Sequence, residues 1–339
     1  MMVTFLLDVE DILSPAADDI ARDVASALSD ESVAATFCVV GERVRQWRQR
    51  RREDVVEALA RHDVGYHSNL HSVHPTTVEL LEHADWPEGV EAVRRSETPG
   101  VEAIRETFGC APSCWGGPGN TWGPQVNEAA LSMGIEAVVY AQTRVPGGDV
   151  HRFAGLLMYP SGPAIGDHLL HHSRRWRRRL DRLCDEVRGS LSAGRQWCGV
   201  FLGHPSRVRH HGFWDDPGYA RGANPTAGRV VLPRAKSDEQ VRTALTNLRE
   251  TVKRVREIPD VEVVTVREAN ERFRNAVEQP LSEAEAAEAS RTIEANLAHM
   301  ARWPILSRRF DVARIRAHTM SRLSTLARLN IDGRTDHTT

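Results

Sequence analysis

The chain has 339 residues, 41% hydrophobic and 27% charged, an ordinary globular composition that can bury a substantial core. Its formal net charge of −2 gives no electrostatic reason to expect nucleic acid or an anionic membrane as a partner. No apolar run reaches the length of a membrane span, and five scattered cysteines do not form a disulfide framework.

The opening residues, Met1 to Asp8, are a short apolar run that stops at an acid, with neither a basic leader nor a small-residue cleavage site. They read as the start of a folded domain, and the cytoplasm is the expected compartment. Val3 to Leu7 is a buried strand, followed by a crowd of carboxylates at Asp8, Glu10 and Asp11. Ser14 and Pro15 supply a helix cap and first-turn proline, with Ile20, Val24 and Leu28 at helical spacing. Val33 to Val40 is a second strand, stopped by Gly41. An Arg- and Glu-rich helix carrying Val44, Trp47, Val55, Val56 and Leu59 leads to a third strand, Val64 to Tyr66.

That third strand delivers His67, His71 and His74, three of the fifteen histidines within eight residues. Two imidazoles four residues apart fall on one side of a helical turn or compact loop, so they can grip one metal ion. A polar, His-rich surface loop is the plainer reading. Thr76 to Glu79 has the form of a capping box that starts the next helix.

Strand and helix alternate, with polar chemistry at the strand ends, which is the pattern of a parallel α/β sheet or barrel with its site at the strands' C-terminal edge. Cys114 to Pro124 is turn-dense and holds Trp115 and Trp122. Its glycines allow close backbone approach to a ligand, or the tryptophans simply cover core. Val126 to Met133 reads as helix, Ala137 to Ala141 as strand, and Leu156 to Tyr159 as a weaker strand. The run from His171 to Arg179 is rich in arginine, yet Trp176, Leu180, Leu183, Cys184, Val187 and Leu191 form a helical apolar stripe. The arginines then belong to a solvated face rather than to a nucleic-acid patch.

Trp197 to Leu202 is a strand that leads to His204. A long polar and aromatic loop follows to Pro225, containing Trp214 and Arg221, and loops of that length are usually functional. Ser237 caps a helix bearing Val241, Leu245, Leu248, Val252 and Val255. Val261 to Val266 reads as the last strand, with a closing helix from Arg267. The boundaries that follow are a barrel over 1–280, a helical appendage over 281–330 that could mediate homo-oligomer contact, and a polar tail over 331–339.

On these residues the chain resembles the polysaccharide deacetylases, the carbohydrate esterases with a NodB-homology domain. Asp8-Val9-Glu10-Asp11 looks like a variant of the family's first motif. His67-Ser68-Asn69-Leu70-His71 matches its His-Ser/Thr-x-x-His motif, and Leu202-Gly203-His204 is similar to its late Leu-His motif with one residue inserted. The resemblance covers roughly residues 3 to 278 and implies a distorted (β/α) barrel holding a divalent metal, zinc first, with cobalt, manganese, nickel or iron as alternatives. It implies His67 and His71 as metal ligands with Glu10, Asp11 or both, Asp8 as general base and His204 as general acid. Trp115, Gly117, Pro118, Gly119, Trp122, Trp214 and Arg221 are then candidates to contact substrate, and His74 has a supporting role.

One motif departs from the family. Its Arg-x-Pro-x-Gly corresponds to Trp115-Gly116-Gly117-Pro118-Gly119, where no arginine stands. Either Arg207, Arg209 or Arg221 reaches in, or a different contact tunes Asp8. The activity expected is hydrolysis of an amide C–N bond on a small molecule or glycan, first as N-deacetylation of a sugar. Hydrolysis of a cyclic ureide or other non-sugar amide, and ligand binding without turnover, are the rival readings.

Overall fold

A computed structural model describes residues 1–276 except 78, 82, 83, 85, 119–122, 124, 142–148, 154, 216–218, 220–223 and 226–230. The expected appendage and tail, together with Gly119, Trp122 and Arg221, lie outside the described residues.

A parallel-dominated sheet organises the chain: β1 (Met2–Val9), β2 (Thr36–Val39), β3 (Asp63–Tyr66), β4 (Trp115–Gly116), β5 (Ala137–Ala141), β6 (His151–Phe153), β7 (Leu156–Pro160), β8 (Trp197–Gly203) and β9 (Glu262–Val263). The spatial order is β6-β7-β5-β4-β3-β2-β1-β8, with β9 also on β1, and only β6 runs antiparallel. Beyond β7 the chain curls back to β8, where Ala164 bridges Phe201, so the sheet is a partly open barrel rather than a flat layer. The approach is tight enough to require glycine: a Cβ on Gly162 would lie 1.9 Å from the Gly199 carbonyl oxygen.

Helices α1 (Ala16–Asp30), α2 (Gly41–Gln49), α3 (Glu53–Leu59), α4 (Trp86–Phe108), α5 (Gln125–Ser132), α6 (Ser173–Ser192), α7 (Pro205–Arg209) and α8 (Asp238–Arg256) follow the strands. The last described helix is α9 (Val266–Ala276). One large core, including Phe5, Leu7, Val9, Phe37, Tyr66 and Trp115, lies between sheet and helices. A second, with Leu6, Cys38, Cys114, Tyr159, Trp197 and Phe273, fills the barrel interior. Strand side chains alternate between these two cores, as the two-residue period of a strand demands. On α6 the apolar stripe from Trp176 to Val187 is buried, Leu191 is half-buried, and Arg174, Arg175, Arg177 and Arg178 are exposed.

Several local expectations are corrected. Ser14 does not cap α1; Pro15 holds the N-cap position, and the Ser14 hydroxyl instead pairs with His210 Nε2 at 3.2 Å. Gly41 begins α2 rather than ending a strand, and the single expected helix breaks into α2 and α3 at Arg51, whose φ is +54°. The Glu79 carboxylate does accept from the Thr76 amide at 2.6 Å, but only a short 3-10 turn follows, and α4 starts at Trp86. The last strand is just Glu262–Val263, because Thr265 and Glu268 cap each other's amides and start α9 at Val266.

Candidate metal centre

The strands being parallel, the C-terminal ends of β1, β3, β4 and β8 open on one side, and the polar residues gather there. On β1, Thr4 and Leu6 face the barrel interior and Phe5, Leu7 and Val9 face the helices. Asp8 and Glu10 continue the interior series, while Asp11 has the opposite parity. The same alternation on β3 aims His67 inward behind Gly65, and on β4 it turns Trp115 outward.

Glu10, His67 and His71 offer one donor atom each, all within 4.8 Å of one another. Glu10 Oε2 stands 2.9 Å from His71 Nε2 and 3.7 Å from His67 Nε2. Donors bound to one tetrahedral zinc at about 2.0–2.1 Å stand roughly 3.3 Å apart, so the spacing fits a metal. His67 Nε2, His71 Nε2 and Glu10 Oε1 are all buried with no hydrogen-bond partner. Buried polar atoms are nearly always partnered, so three such atoms in one place form a donor set for a cation. Burial would raise the Glu10 carboxyl, yet His204 and His71 hold it well below its ordinary range. Burial would lower His67, yet Asp8 and Glu10 raise it. The carboxylates draw a proton onto His67, and a divalent cation would take that proton's place.

The ligand orientations are fixed from behind. His67 Nδ1 donates to the Gly116 carbonyl at 2.7 Å, leaving Nε2 to face Glu10. His71 Nδ1 pairs with Ser72 Oγ at 2.7 Å, and that hydroxyl donates to Asp215. Ser68 and His71 both have positive φ, +67° and +55°, and the Ser68 hydroxyl accepts from the His71 amide at 2.9 Å. Held backbone strain of this kind is characteristic of functional loops. Glu97 of α4 anchors the loop from below, accepting from the Asn69 amide and from Tyr66 Oη at 2.6 Å each.

Asp8 sits beside this triad, its Oδ1 3.9 Å from His67 Nδ1 and its Oδ2 3.9 Å from His204 Nε2. Where an arginine was missing from the sequence motif, Tyr140 of β5 donates its hydroxyl to Asp8 Oδ1 at 3.0 Å. Tyr140 has a φ of +59°, which turns the end of β5 so that the phenol enters the mouth. Arg207 and Arg209 are placed elsewhere: Arg209 pairs with Asp238, and Arg207 lies near Asp167.

His204 Nδ1 pairs with Asp167 Oδ2 at 2.7 Å, leaving Nε2 3.7 Å from Glu10 and 3.9 Å from Asp8. Burial opposes its charge, but Glu10, Asp167 and Asp8 lift it to about 9. The inserted glycine has a structural reason. Leu6 pairs with Phe201 but Leu7 with Gly203, a bulge that resets the parity of β8 and aims His204 inward. Gly203 has a φ of +103°, and a Cβ there would lie 2.5 Å from Asp167 Cβ, so no other residue fits.

For the metal-free protein this geometry dictates a pH dependence of stability. His204 titrates near 9 folded against about 6.5 unfolded, so its contribution is complete below pH 6.5 and declines as pH rises toward 9. Lys236, lowered to about 8 chiefly by burial, begins to oppose the decline only above pH 8. Between pH 6.5 and 8 the metal-free protein should lose about 2 kcal/mol of unfolding free energy through His204. Urea midpoints at the two pH values measure it, and the slope should become shallower in His204→Gln, where His67 is still raised by Asp8 and Glu10.

Other expected site residues are not brought to the triad. Asp11 Oδ1 accepts from the Leu13 and Ser14 amides at 2.9 Å each, so its carboxylate closes the loop after β1 instead of meeting the metal donors. Trp115 packs edge-on against Tyr66 in the core behind the sheet and is no pocket wall. Trp214 is fully buried, its ring 5.3 Å from that of His71, and backs the ligand rather than lining a cleft. His74 pairs with Glu79 and takes no part in the triad. Gly117 and Pro118 sit half-buried after β4. Asp167, Tyr140 and Asp215 were not singled out from the sequence. Only Gly166-Asp167, a glycine beside an acid after a strand, offered any local signal.

No family model matches the sequence, and no curated protein matches it. Solved structures do. A Mycobacterium smegmatis protein assigned to the polysaccharide deacetylases superposes with a TM-score of 0.50 at 17% identity, over 81% of this chain and 90% of its own. Weaker matches are a family 4 acetyl xylan esterase from Clostridium thermocellum with a cobalt ion (TM-score 0.43, 16% identity, 82% and 93%) and a CE4-family pseudoenzyme from Bacillus anthracis (0.41, 13%, 79% and 64%). The chain thus shares its fold, a partly open α/β barrel, with the Mycobacterium smegmatis polysaccharide deacetylase structure. Its own His, His and carboxylate group lies at the C-terminal mouth of that barrel. Among the described residues no helix is long and apolar enough to cross a membrane.

Proposed function

We propose that this protein is a metal-dependent hydrolase of an amide C–N bond that removes an N-acetyl group from a sugar-containing substrate. The observation that carries it is the convergence of Glu10, His67 and His71, one donor atom each within 4.8 Å, with His67 Nε2 and His71 Nε2 buried and without hydrogen-bond partners, beside Asp8 and His204. Such a donor set fits zinc or a similar divalent ion. When bound, the ion would polarise the amide carbonyl and lower the pKa of the attacking water.

The chain's own residues move the protons. Asp8, held at Oδ1 by Tyr140, takes a proton from the water as its oxygen adds to the carbonyl carbon. His204, whose Nδ1 is held by Asp167, gives its Nε2 proton to the nitrogen as the C–N bond breaks. The products are a free amine and acetate. The neutral Tyr140 donor in place of a guanidinium leaves Asp8 an oriented base, which weighs against binding without turnover. Acetate release from N-acetylglucosamine derivatives by metal-loaded protein tests the reading. Turnover of cyclic ureides with no acetate released from any N-acetyl sugar would overturn it.

A further inference from the structure

Behind His204 lies a second polar cluster that the hydrolytic reading does not use. Arg207 is 8% exposed, and its Nε and one terminal nitrogen (NH1) are buried without hydrogen-bond partners. Its guanidinium lies 4.7 Å from the centre of the Phe213 ring, which also meets the His204 ring edge-on at 5.0 Å. Lys236 is 3% exposed and donates to the Arg207 carbonyl oxygen. His171 Nδ1 is likewise buried and unpartnered, with the rings of His172 and His211 at 3.9 and 5.8 Å. His171 and His172 stand at the N-terminus of α6, which has no side-chain cap and no acid in its first turn.

The charges here do not balance. Among the described residues the one carboxylate near Arg207 is Asp167, at 3.9 Å, and it is already bonded to His204. No carboxylate pairs with Lys236 among the described residues. Burial, then Arg207, lowers Lys236 to about 8 against a smaller pull from Asp167, and burial, then Lys236 and its neighbours, lowers His171 to about 4. Buried cations without counter-charge are costly, and a group of them with unpartnered donors, at a helix N-terminus, is completed by an anion.

We propose that Arg207, Lys236 and His171 form an anion subsite beside His204 that takes a phosphoryl group carried by the substrate. A guanidinium, an ammonium and an imidazole around a helix N-terminus offer donors in several directions, which suits a tetrahedral, multiply charged oxyanion better than a planar carboxylate. The Phe213 ring, in contact with both Arg207 and His204, sets the separation between the phosphoryl group and the scissile amide. The inference rests on the deacetylase reading and narrows its substrate to a phosphorylated or nucleotide-linked N-acetyl sugar.

The test uses the full, metal-loaded chain. Inorganic phosphate is titrated by calorimetry, with acetate as the carboxylate control, against wild type, Lys236→Met, Lys236→Arg and His171→Gln. Acetate release is then compared for N-acetylglucosamine 1-phosphate, N-acetylglucosamine and N-acetylmuramic acid. The expected result is saturable phosphate binding, weakened about tenfold or more in Lys236→Met and His171→Gln and largely kept in Lys236→Arg. The phosphorylated sugar should exceed the neutral one in kcat/KM by at least about tenfold. Should Lys236→Met fail to fold, His171→Gln against Lys236→Arg carries the same comparison. Absent phosphate binding, binding indifferent to these substitutions, or a preference for the carboxylate sugar overturns the subsite. Equal turnover of neutral and phosphorylated sugars overturns it while sparing the deacetylase reading. Substitution-sensitive phosphate binding with no acetate from any sugar does the reverse.

Discussion

Replacing His67 and His71 together by alanine should abolish metal binding and lower acetate release by on the order of a thousandfold or more. Each imidazole is committed to the site by a bond on its far nitrogen, His67 to the Gly116 carbonyl and His71 to Ser72, so neither has another structural task for its Nε2. Removing both leaves Glu10 as the only member of the triad, and a single carboxylate does not hold a transition metal in competition with water. The double variant should also lose the stabilisation that metal gives to wild type by mass action, so added zinc should no longer raise its melting temperature. Elemental analysis of the purified protein and thermal melts with and without zinc are the measurements. Unchanged metal content would remove the basis for the proposed chemistry.

The second large effect separates the three carboxylates after β1. Glu10→Gln should lose the metal. Asp8→Asn should keep it yet fall by about 10²–10⁴ in kcat, the usual worth of a general base. Asp11→Asn should keep the metal, most of the turnover and most of the stability. Its Oδ1 accepts from the Leu13 and Ser14 amides, which an amide oxygen also can, and burial raises its carboxyl, so a neutral isostere costs the fold little. Tyr140→Phe removes one hydrogen bond to the charged Asp8, about 1.5–3 kcal/mol, so kcat should fall by roughly ten- to a hundredfold with metal retained. Metal content, kcat and urea midpoints on the four variants resolve the assignment. Metal lost from Asp11→Asn and kept in Glu10→Gln would show that strand parity does not govern this site.

Much of the candidate site was legible because chemistry-bearing residues follow short apolar runs. Asp8 lies at the end of β1, Glu10, His67 and His204 directly follow β1, β3 and β8, and His71 stands in the loop after β3, and parallel strands deliver their ends to one side whatever the intervening helices do. The strand and helix pattern pointed to a parallel α/β sheet or barrel, and the hydrolytic reading came from the resemblance of those residues to the deacetylase motifs. The choice between Glu10 and Asp11 was available in principle from the two-residue period of β1, but only once the strand's inward face was known. Trp115 misled for the same reason: its turn-rich neighbourhood suggested a pocket wall, while its parity on β4 sends it into the core against Tyr66.

The tertiary structure alone decided which distant residues support them. Tyr140 reaches Asp8 across 132 positions, Asp215 reaches Ser72 across 143, and Asp167 reaches His204 across 37. Those pairings depend on how far the sheet curls and where β8 bulges, and neither quantity has a local sequence signature. Hydrophobic periodicity encodes which way a side chain faces along its own strand, whereas the partner across the barrel mouth is set by closure of the whole sheet.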